Sequence, residues 1–566
     1  MSLPHRPPTT IRRRFLQVGG RRVHYLRAGD GPPAVLVHSS PANARLLVKE
    51  IAHLARDHTV FAFDTPGFGL SDPLPGATLS VADLADALAE TLAAIGMPRC
   101  PLFGTHTGAA IGLEFGVRHP DRVTGLVLDG VPAFTGDECE RFFAGYFQPI
   151  PPTPLGGQYA ETWTRFRDQS IWFPWTNRTP EHLNRYDLSP AHSTHLWASM
   201  YFEAAEHYTP AYRAASFYGA RAIAAAAELT VPAAFCATET DMLHPHLDRL
   251  PPMRDGQAIV PIGSSYERKR QLIAERFALY GADGPAPADR DAIGSSTGVA
   301  RQFVDGDAGQ LHLRHAGDRG APPLLLLHDA PGSGEQAEAL VAELAMRFFV
   351  VAPDLPGNGE SDAFASAPDA DTLAGSALAV LDRLRIERAV VYGIGFGASI
   401  ALALADRHPD RAAALVVQGL ALPDAEERAD MQARYAPPVA IEPDGAHWYR
   451  TWLMLRDMQV YWPWYNRTLA GQRRVDADFG ARPLHRRTMD VMRAHASYGQ
   501  LIHAALDHDA AAALGALAVP LVQVRDPQVP LSAHDARLAG HRMPAAVIDR
   551  RAGRLAERLI MTFPHG

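Results

Sequence analysis

Short apolar runs, set apart by polar turns and followed by stretches with helical spacing, recur along the whole chain. The first is Ala34-Val35-Leu36-Val37, closed by His38-Ser39-Ser40-Pro41; the second, Val60-Phe61-Ala62-Phe63, runs into Asp64-Thr65-Pro66-Gly67. Brief apolar runs bounded by turn residues read as strands buried on both faces. Between them the spacing predicts helices, most clearly over Val81–Ile95. Further strands are expected at Leu102-Phe103, Gly125–Asp129, Pro232–Cys236 and Ala258–Pro261, after an opening hairpin from Phe15 to Arg27. Strands alternating with helices imply an α/β fold: a mostly parallel sheet wrapped on both faces.

One stretch organises this pattern. In Leu102-Phe103-Gly104-Thr105-His106-Thr107-Gly108-Ala109-Ala110 an apolar run ends in Gly-x-x-x-Gly and passes straight into a helical pattern. That is the shape of a nucleophile elbow, a sharp strand-to-helix turn that lifts one side chain above the sheet. The lifted residue is His106. The same turn recurs as Tyr392-Gly393-Ile394-Gly395-Phe396-Gly397-Ala398, where it is Gly395, without a side chain. Gly104 to Gly393 is a shift of 289, and Trp172-Phe173-Pro174-Trp175 returns 289 residues on as Tyr461-Trp462-Pro463-Trp464. Asp64–Asp72 returns as Asp354–Asp362, shifted by 290. Spacing this constant over a whole half predicts a tandem duplication.

Each half resembles an α/β-hydrolase-fold domain of the epoxide-hydrolase and C–C-hydrolase type. The resemblance rests on the His-x-x-Pro turns (His38, His328), the Asp-x-Pro-Gly-x-Gly-x-Ser-Asp turns, the elbows, and Arg-His-Pro-Asp-Arg after the following helix (Arg118–Arg122, Arg407–Arg411). It implies two tandem domains, residues 1–282 with a helical cap at about 132–229, and 299–566 with a cap at about 420–515. The Gly-, Ala-, Pro- and Ser-rich residues 283–298 between them read as a linker.

A hydrolase of this family carries a nucleophile on the elbow, a histidine base, an acid that orients the base, and two backbone N–H groups facing the oxyanion. The resemblance assigns those N–H groups to Thr107 and Ser39, and leaves Asp241 and Asp129 as candidate acids. Where the family's histidine would stand, the chain reads Gly263-Ser264-Ser265-Tyr266, and no elbow carries a serine. A Ser-His-Asp triad is therefore excluded in both halves. His106 remains as base or nucleophile, since an imidazole titrates near neutrality. His244 and His246 read as surface histidines, and His38 as a structural one. In the cap, Trp172, Trp175 and Arg167 are the candidate substrate contacts, and they favour a largely apolar ligand with one polar handle. Gln418 stands where the first half has Asp129, so the second half reads as degenerate, with a structural role packing on the first.

Composition narrows the rest. The 566 residues exceed one core, and 47% hydrophobic with 20% charged residues is a globular balance. Net charge −8 without a long basic tract speaks against a nucleic-acid partner. Three cysteines, Cys100, Cys139 and Cys236, offer no disulfide framework. Arg12-Arg13-Arg14-Phe15-Leu16 is followed by Gly19-Gly20-Arg21-Arg22 and not by the apolar core of an export signal. The apolar run Ala389–Ala405 is broken by the elbow glycines, so strand-turn-helix is expected there and no membrane span. A cytoplasmic protein acting on a small molecule, with no metal or organic cofactor, is the expectation. Its reaction is hydrolysis or bond cleavage of a carbonyl, ester or lactone; the alternative is an inactive binding or scaffold protein of the same fold.

Overall fold

A computed structural model describes residues 10–289 and 296–562; part of the expected linker lies outside the described residues. The chain divides into two compact units, Met1–Pro151 with Ala160–Arg290, and Pro152–Tyr159 with Asp291–Gly566.

In the first domain the hairpin β1 (Arg12–Val18) and β2 (Arg21–Ala28) precedes β3 (Pro33–Val37), helix α1 (Val48–Leu54), β4 (Thr59–Phe63), α2 (Val81–Ile95) and β5 (Cys100–Thr105). Next come α3 (Thr107–Arg118) and β6 (Val123–Asp129). Five helices follow before the sheet resumes: α4 (Gly136–Phe143), α5 (Gly157–Ile171), α6 (Ala191–Ala204), α7 (Tyr208–Ser216) and α8 (Gly219–Glu228). Then β7 (Ala233–Cys236), β8 (Gln257–Ile259) and α9 (Tyr266–Tyr280) complete the domain. The strands form one sheet in the order β1-β2-β4-β3-β5-β6-β7-β8, antiparallel from β1 through β4 and parallel beyond. The predicted helix at Val81–Ile95 starts at a capping box in which Ser80 and Asp83 satisfy each other's backbone N–H groups.

The second domain repeats the strand order with its own eight strands. These are β9 (Ser296–Gly306), β10 (Gly309–Gly317), β11 (Pro323–Leu327), β12 (Phe349–Pro353), β13 (Ala389–Ile394), β14 (Ala412–Gln418), β15 (Leu521–Arg525) and β16 (Ala546–Asp549). Each sheet is packed on buried aliphatic side chains, Leu36, Ile51, Val60 and Ile273 in the first domain and Leu326, Val341, Val350 and Leu559 in the second. Among the described residues no helix is long and apolar enough to cross a membrane, and Ala389–Ala405 is strand, turn and helix.

The register brings chemistry to one edge. Thr105 pairs with Asp129 and Asp129 with Cys236, so the ends of β5, β6 and β7 lie side by side beneath the elbow. Open parallel sheets hold their ligands at this carboxyl edge.

The elbow glycines are fixed by crowding. A Cβ on Gly104 would stand 2.1 Å from the Gly108 carbonyl oxygen, and one on Gly108 would stand 2.1 Å from that of Val37. Gly108→Ala is therefore expected to destabilise the first domain by about 2–3 kcal/mol, the range of overpacking against backbone that cannot yield. Gly136→Ala, with nothing within 4 Å of the new methyl, is the control and stays near neutral. Urea unfolding of both variants checks this; equal midpoints would remove crowding as the reason for Gly108.

Candidate functional site

His106 stands between β5 and α3 with φ 50° and ψ −108°, the strained backbone of the turn. Its imidazole faces the loop after β7, where Nε2 meets Asp241 Oδ2 at 2.8 Å. Asp241 is itself held by the N–H of Leu243, which donates to its other oxygen at 2.8 Å. Nδ1 of His106 has no protein partner among the described residues, and the ring is 34% exposed. Burial alone would lower the imidazole's pKa. The charge and hydrogen bond of Asp241, with Asp129 further off, outweigh it and hold His106 above its ordinary value. Burial acts on Asp241 in the opposite direction, but the imidazole brings it down to about 2.

Asp129, offered by the sequence as a second orienting acid, is engaged elsewhere. Its Oδ2 takes Lys269 Nζ at 2.8 Å and the Thr105 hydroxyl at 2.9 Å. Lys269 belongs to α9, the helix that begins where the family's histidine would stand, so a cation from that segment still reaches the strand ends. No motif announced it: its partner is 140 residues away.

Thr107 opens α3, and its hydroxyl accepts from the N–H of Ser40 at 3.3 Å, which ties the elbow to the turn after β3. Neither the N–H of Thr107 nor that of Ser39 is taken by a protein group among the described residues. His38 packs beneath this turn, its Nε2 accepting from the N–H of Thr65 at 3.0 Å, and His328 does the same for Leu355 at 2.9 Å.

A cavity of about 50 Å³ opens over the imidazole. Space of that size holds three or four waters. Its walls join His106 and Thr107 to Phe134, Phe143, Phe173, Tyr212, Ser216 and Leu243. Trp172 and Trp175 do not line it; Trp175 packs into the aromatic cluster behind the wall. Arg167 is exposed, while Arg165, two positions earlier on α5, is buried. Residues two apart on a helix face nearly opposite ways, so the inward arginine is Arg165. His246 is a second correction. It is buried, accepts from the Ala133 N–H at 3.0 Å and meets Phe134 edge-on; burial and Arg249 bring its pKa to about 4.

The second domain builds the same turn around an empty position. Gly395 has φ 56°, and a Cβ there would lie 1.8 Å from Asp329 Oδ1. That oxygen accepts from the N–H groups of Phe396, at 2.9 Å, and Ala330, at 2.8 Å. A side chain of the domain's own thus fills the anion site at this helix N-terminus. Burial raises the Asp329 carboxyl to about 6 in spite of those donors. Asp526, the counterpart of Asp241, is held by the Gln418 amide at 2.9 Å.

The sequence matches the model of the alpha/beta hydrolase fold over residues 32–254 and 322–443. The chain belongs to the alpha/beta hydrolase family. It is 32% identical over 152 residues to a fluoroacetate dehalogenase of Burkholderia sp, a match covering 25% of this chain and 50% of that protein. To the 2-hydroxymuconate semialdehyde hydrolase of a Pseudomonas it is 44% identical over 104 residues, or 18% of this chain and 36% of that one. The chain thus spans half or less of the length of these two relatives. An epoxide hydrolase mutant of Vigna radiata aligns at 18% identity and a TM-score of 0.39, over 48% of this chain and 98% of that one. Epoxide hydrolase A of Mycobacterium thermoresistibile gives 19% and 0.36, over 47% and 98%.

The His106–Asp241 pair has a defined pH signature. Its stabilisation is complete between the ordinary carboxylate and imidazole values, 3.8 and 6.5. It fades as pH rises through the raised imidazole pKa, and again as pH falls toward the lowered carboxylate pKa. Asp241→Asn removes the charge but not the burial, so the His106 pKa is expected to drop below 6.5. An NMR titration of the ring protons reads it; an unmoved pKa would rule out Asp241 as its cause. Lys269→Met leaves Asp129 charged and buried, and is expected to cost about 3–5 kcal/mol in thermal or urea unfolding.

Proposed function

We propose that the first domain is a hydrolase in which His106, oriented by Asp241, is the general base. The reading is carried by one observation: an imidazole on the elbow, bonded through Nε2 to a carboxylate at 2.8 Å, with Nδ1 left for a ligand. Nδ1 takes a proton from a water, and the water's oxygen attacks the carbonyl of a small, largely apolar ester, lactone or ketone. The N–H groups of Thr107 and Ser39 receive the negative charge of the tetrahedral intermediate. The proton then passes from the imidazolium to the leaving group, and the base is restored. The raised pKa of His106 suits this exchange near neutral pH.

The kinship with a dehalogenase and a semialdehyde hydrolase supports hydrolysis as the reaction class. The second domain is read as a copy of the first that has lost its chemistry, since Gly395 offers no side chain and Asp329 occupies its anion site. Cys100, Cys139 and Cys236, all free thiols, support a cytoplasmic home.

Turnover of an ester, lactone and β-diketone panel by wild type and His106→Ala tests the reading. General-base catalysis contributes about 10²–10⁴-fold, so kcat is expected to fall by that much with KM little changed. Equal turnover in both proteins would remove His106 from the mechanism. A serine-directed fluorophosphonate is expected to leave both elbows unlabelled.

A further inference from the structure

The helices above the first domain's sheet bury a cation that no carboxylate among the described residues neutralises. Arg165, the ninth residue of α5, is 2% exposed. Its guanidinium lies 4.8 Å from the ring centre of Tyr201, 5.4 Å from that of Trp175 and 5.7 Å from that of Tyr208. One nitrogen, Nη1, donates to the Tyr208 hydroxyl at 3.3 Å. Nε and Nη2 are buried and have no partner among the described residues. Those two N–H groups form the planar fork with which arginine grips a carboxylate by two parallel bonds. The same fork is filled in Arg14, which holds Asp289 at 2.8 and 2.7 Å, and in Arg118, which holds Asp86 at 3.0 and 2.6 Å. In Arg165 it is empty.

Stacking on aromatic rings could by itself explain a buried arginine. The second domain argues otherwise. Its helix Ala446–Asp457 carries Met454, buried, at the same ninth position. At the repeat spacing of 289, Tyr146 and Trp175 persist as Tyr435 and Trp464. From Tyr201 on the offset is 290: Tyr208 persists as Tyr498, whose hydroxyl donates to the Pro437 carbonyl as that of Tyr208 does to Gln148, whereas Tyr201 and Tyr212 become Val491 and Ile502. This packing therefore tolerates an apolar residue in place of the cation. Arg165, Tyr201 and Tyr212 occur together in the domain with His106 on the elbow and are replaced by Met454, Val491 and Ile502 in the one with Gly395.

The cation also stands next to the cavity. Tyr212 forms part of the wall shared with His106, and its hydroxyl meets that of Tyr146 at 3.1 Å. The positive charge of Arg165 acts on both phenols. We propose that the ligand of this cavity carries a carboxylate, which enters past Tyr212, replaces the Tyr146–Tyr212 hydrogen bond with its own bonds to those hydroxyls, and reaches the Nε/Nη2 fork of Arg165 while its remainder faces His106. The inference rests on the cavity being the substrate site and makes the substrate a small carboxylic acid derivative. Arg165 is its specificity residue.

The test compares acids with their neutral isosteres on the full chain: acetate, propionate and butyrate against acetamide, propionamide and butyramide, at matched ionic strength, by calorimetry and tryptophan fluorescence. Wild type is expected to bind the acids about ten to a hundredfold more tightly than the amides, the strength of a charge-assisted pair of hydrogen bonds. Arg165→Met, the residue the second domain already carries there, loses the preference; Arg165→Lys, a charge without a fork, keeps part of it. His106→Ala retains the preference while losing turnover, which separates this proposal from the assignment of the base. Equal binding of acid and amide by wild type, no binding of either, or a preference that survives in Arg165→Met would overturn it. If Arg165→Met fails to fold, the wild-type comparison and Arg165→Lys still decide.

Discussion

A turn that joins a parallel strand to a helix within one residue leaves that residue no ordinary backbone conformation. At His106 and Gly395 φ is +50° and +56°, and the glycines around each turn let backbone approach backbone. Everything distinctive in this chain follows from what occupies that position. The turn aims its residue at the free N–H groups of a helix and at the loop after the next strand but one. The neighbours then answer its chemistry. Asp241 accepts from an imidazole in the first domain; Asp526 turns to an amide where no imidazole exists.

The two domains share a strand order and differ in how they satisfy the same local field. A helix N-terminus attracts negative charge. In the first domain its N–H groups are left without a protein anion, beneath a small cavity walled by aromatic rings. In the second, Asp329 reaches across from the turn after β11 and accepts from both donors. Charge pairing near the first elbow is equally economical. Asp241 has His106 and Asp129 has Lys269, which keeps one carboxylate from competing for the other's partner. Arg165, buried beside this cavity, has no carboxylate partner among the described residues.

Much of this was legible in the sequence because it is local. Alternating apolar runs located the strands, Gly-x-x-x-Gly located the elbow, and Asp241 could be singled out by its place after β7. What escaped depends on distant or angular relations. Lys269 meets a carboxylate 140 residues away, and no spacing rule reaches that far. The sequence reading singles out Arg167 for its place in an aromatic stretch and passes over Arg165, two positions earlier; only the phase of α5 decides which faces inward. His246 reads as a loop residue, yet the turn after β7 folds it against Phe134. The Asp329 plug was equally hidden: an aspartate beside His328 looks ordinary until Gly395 is seen to make room for its oxygen.

That plug makes positions 329 and 395 interdependent. Any side chain at position 395 collides with the carboxylate at 1.8 Å, and shortening residue 329 alone leaves two unpaired donors beside a residue that has nothing to offer. Neither single change helps without the other. A side chain at position 395 and a shorter one at 329 are therefore accommodated only together, each repairing the fault the other would leave.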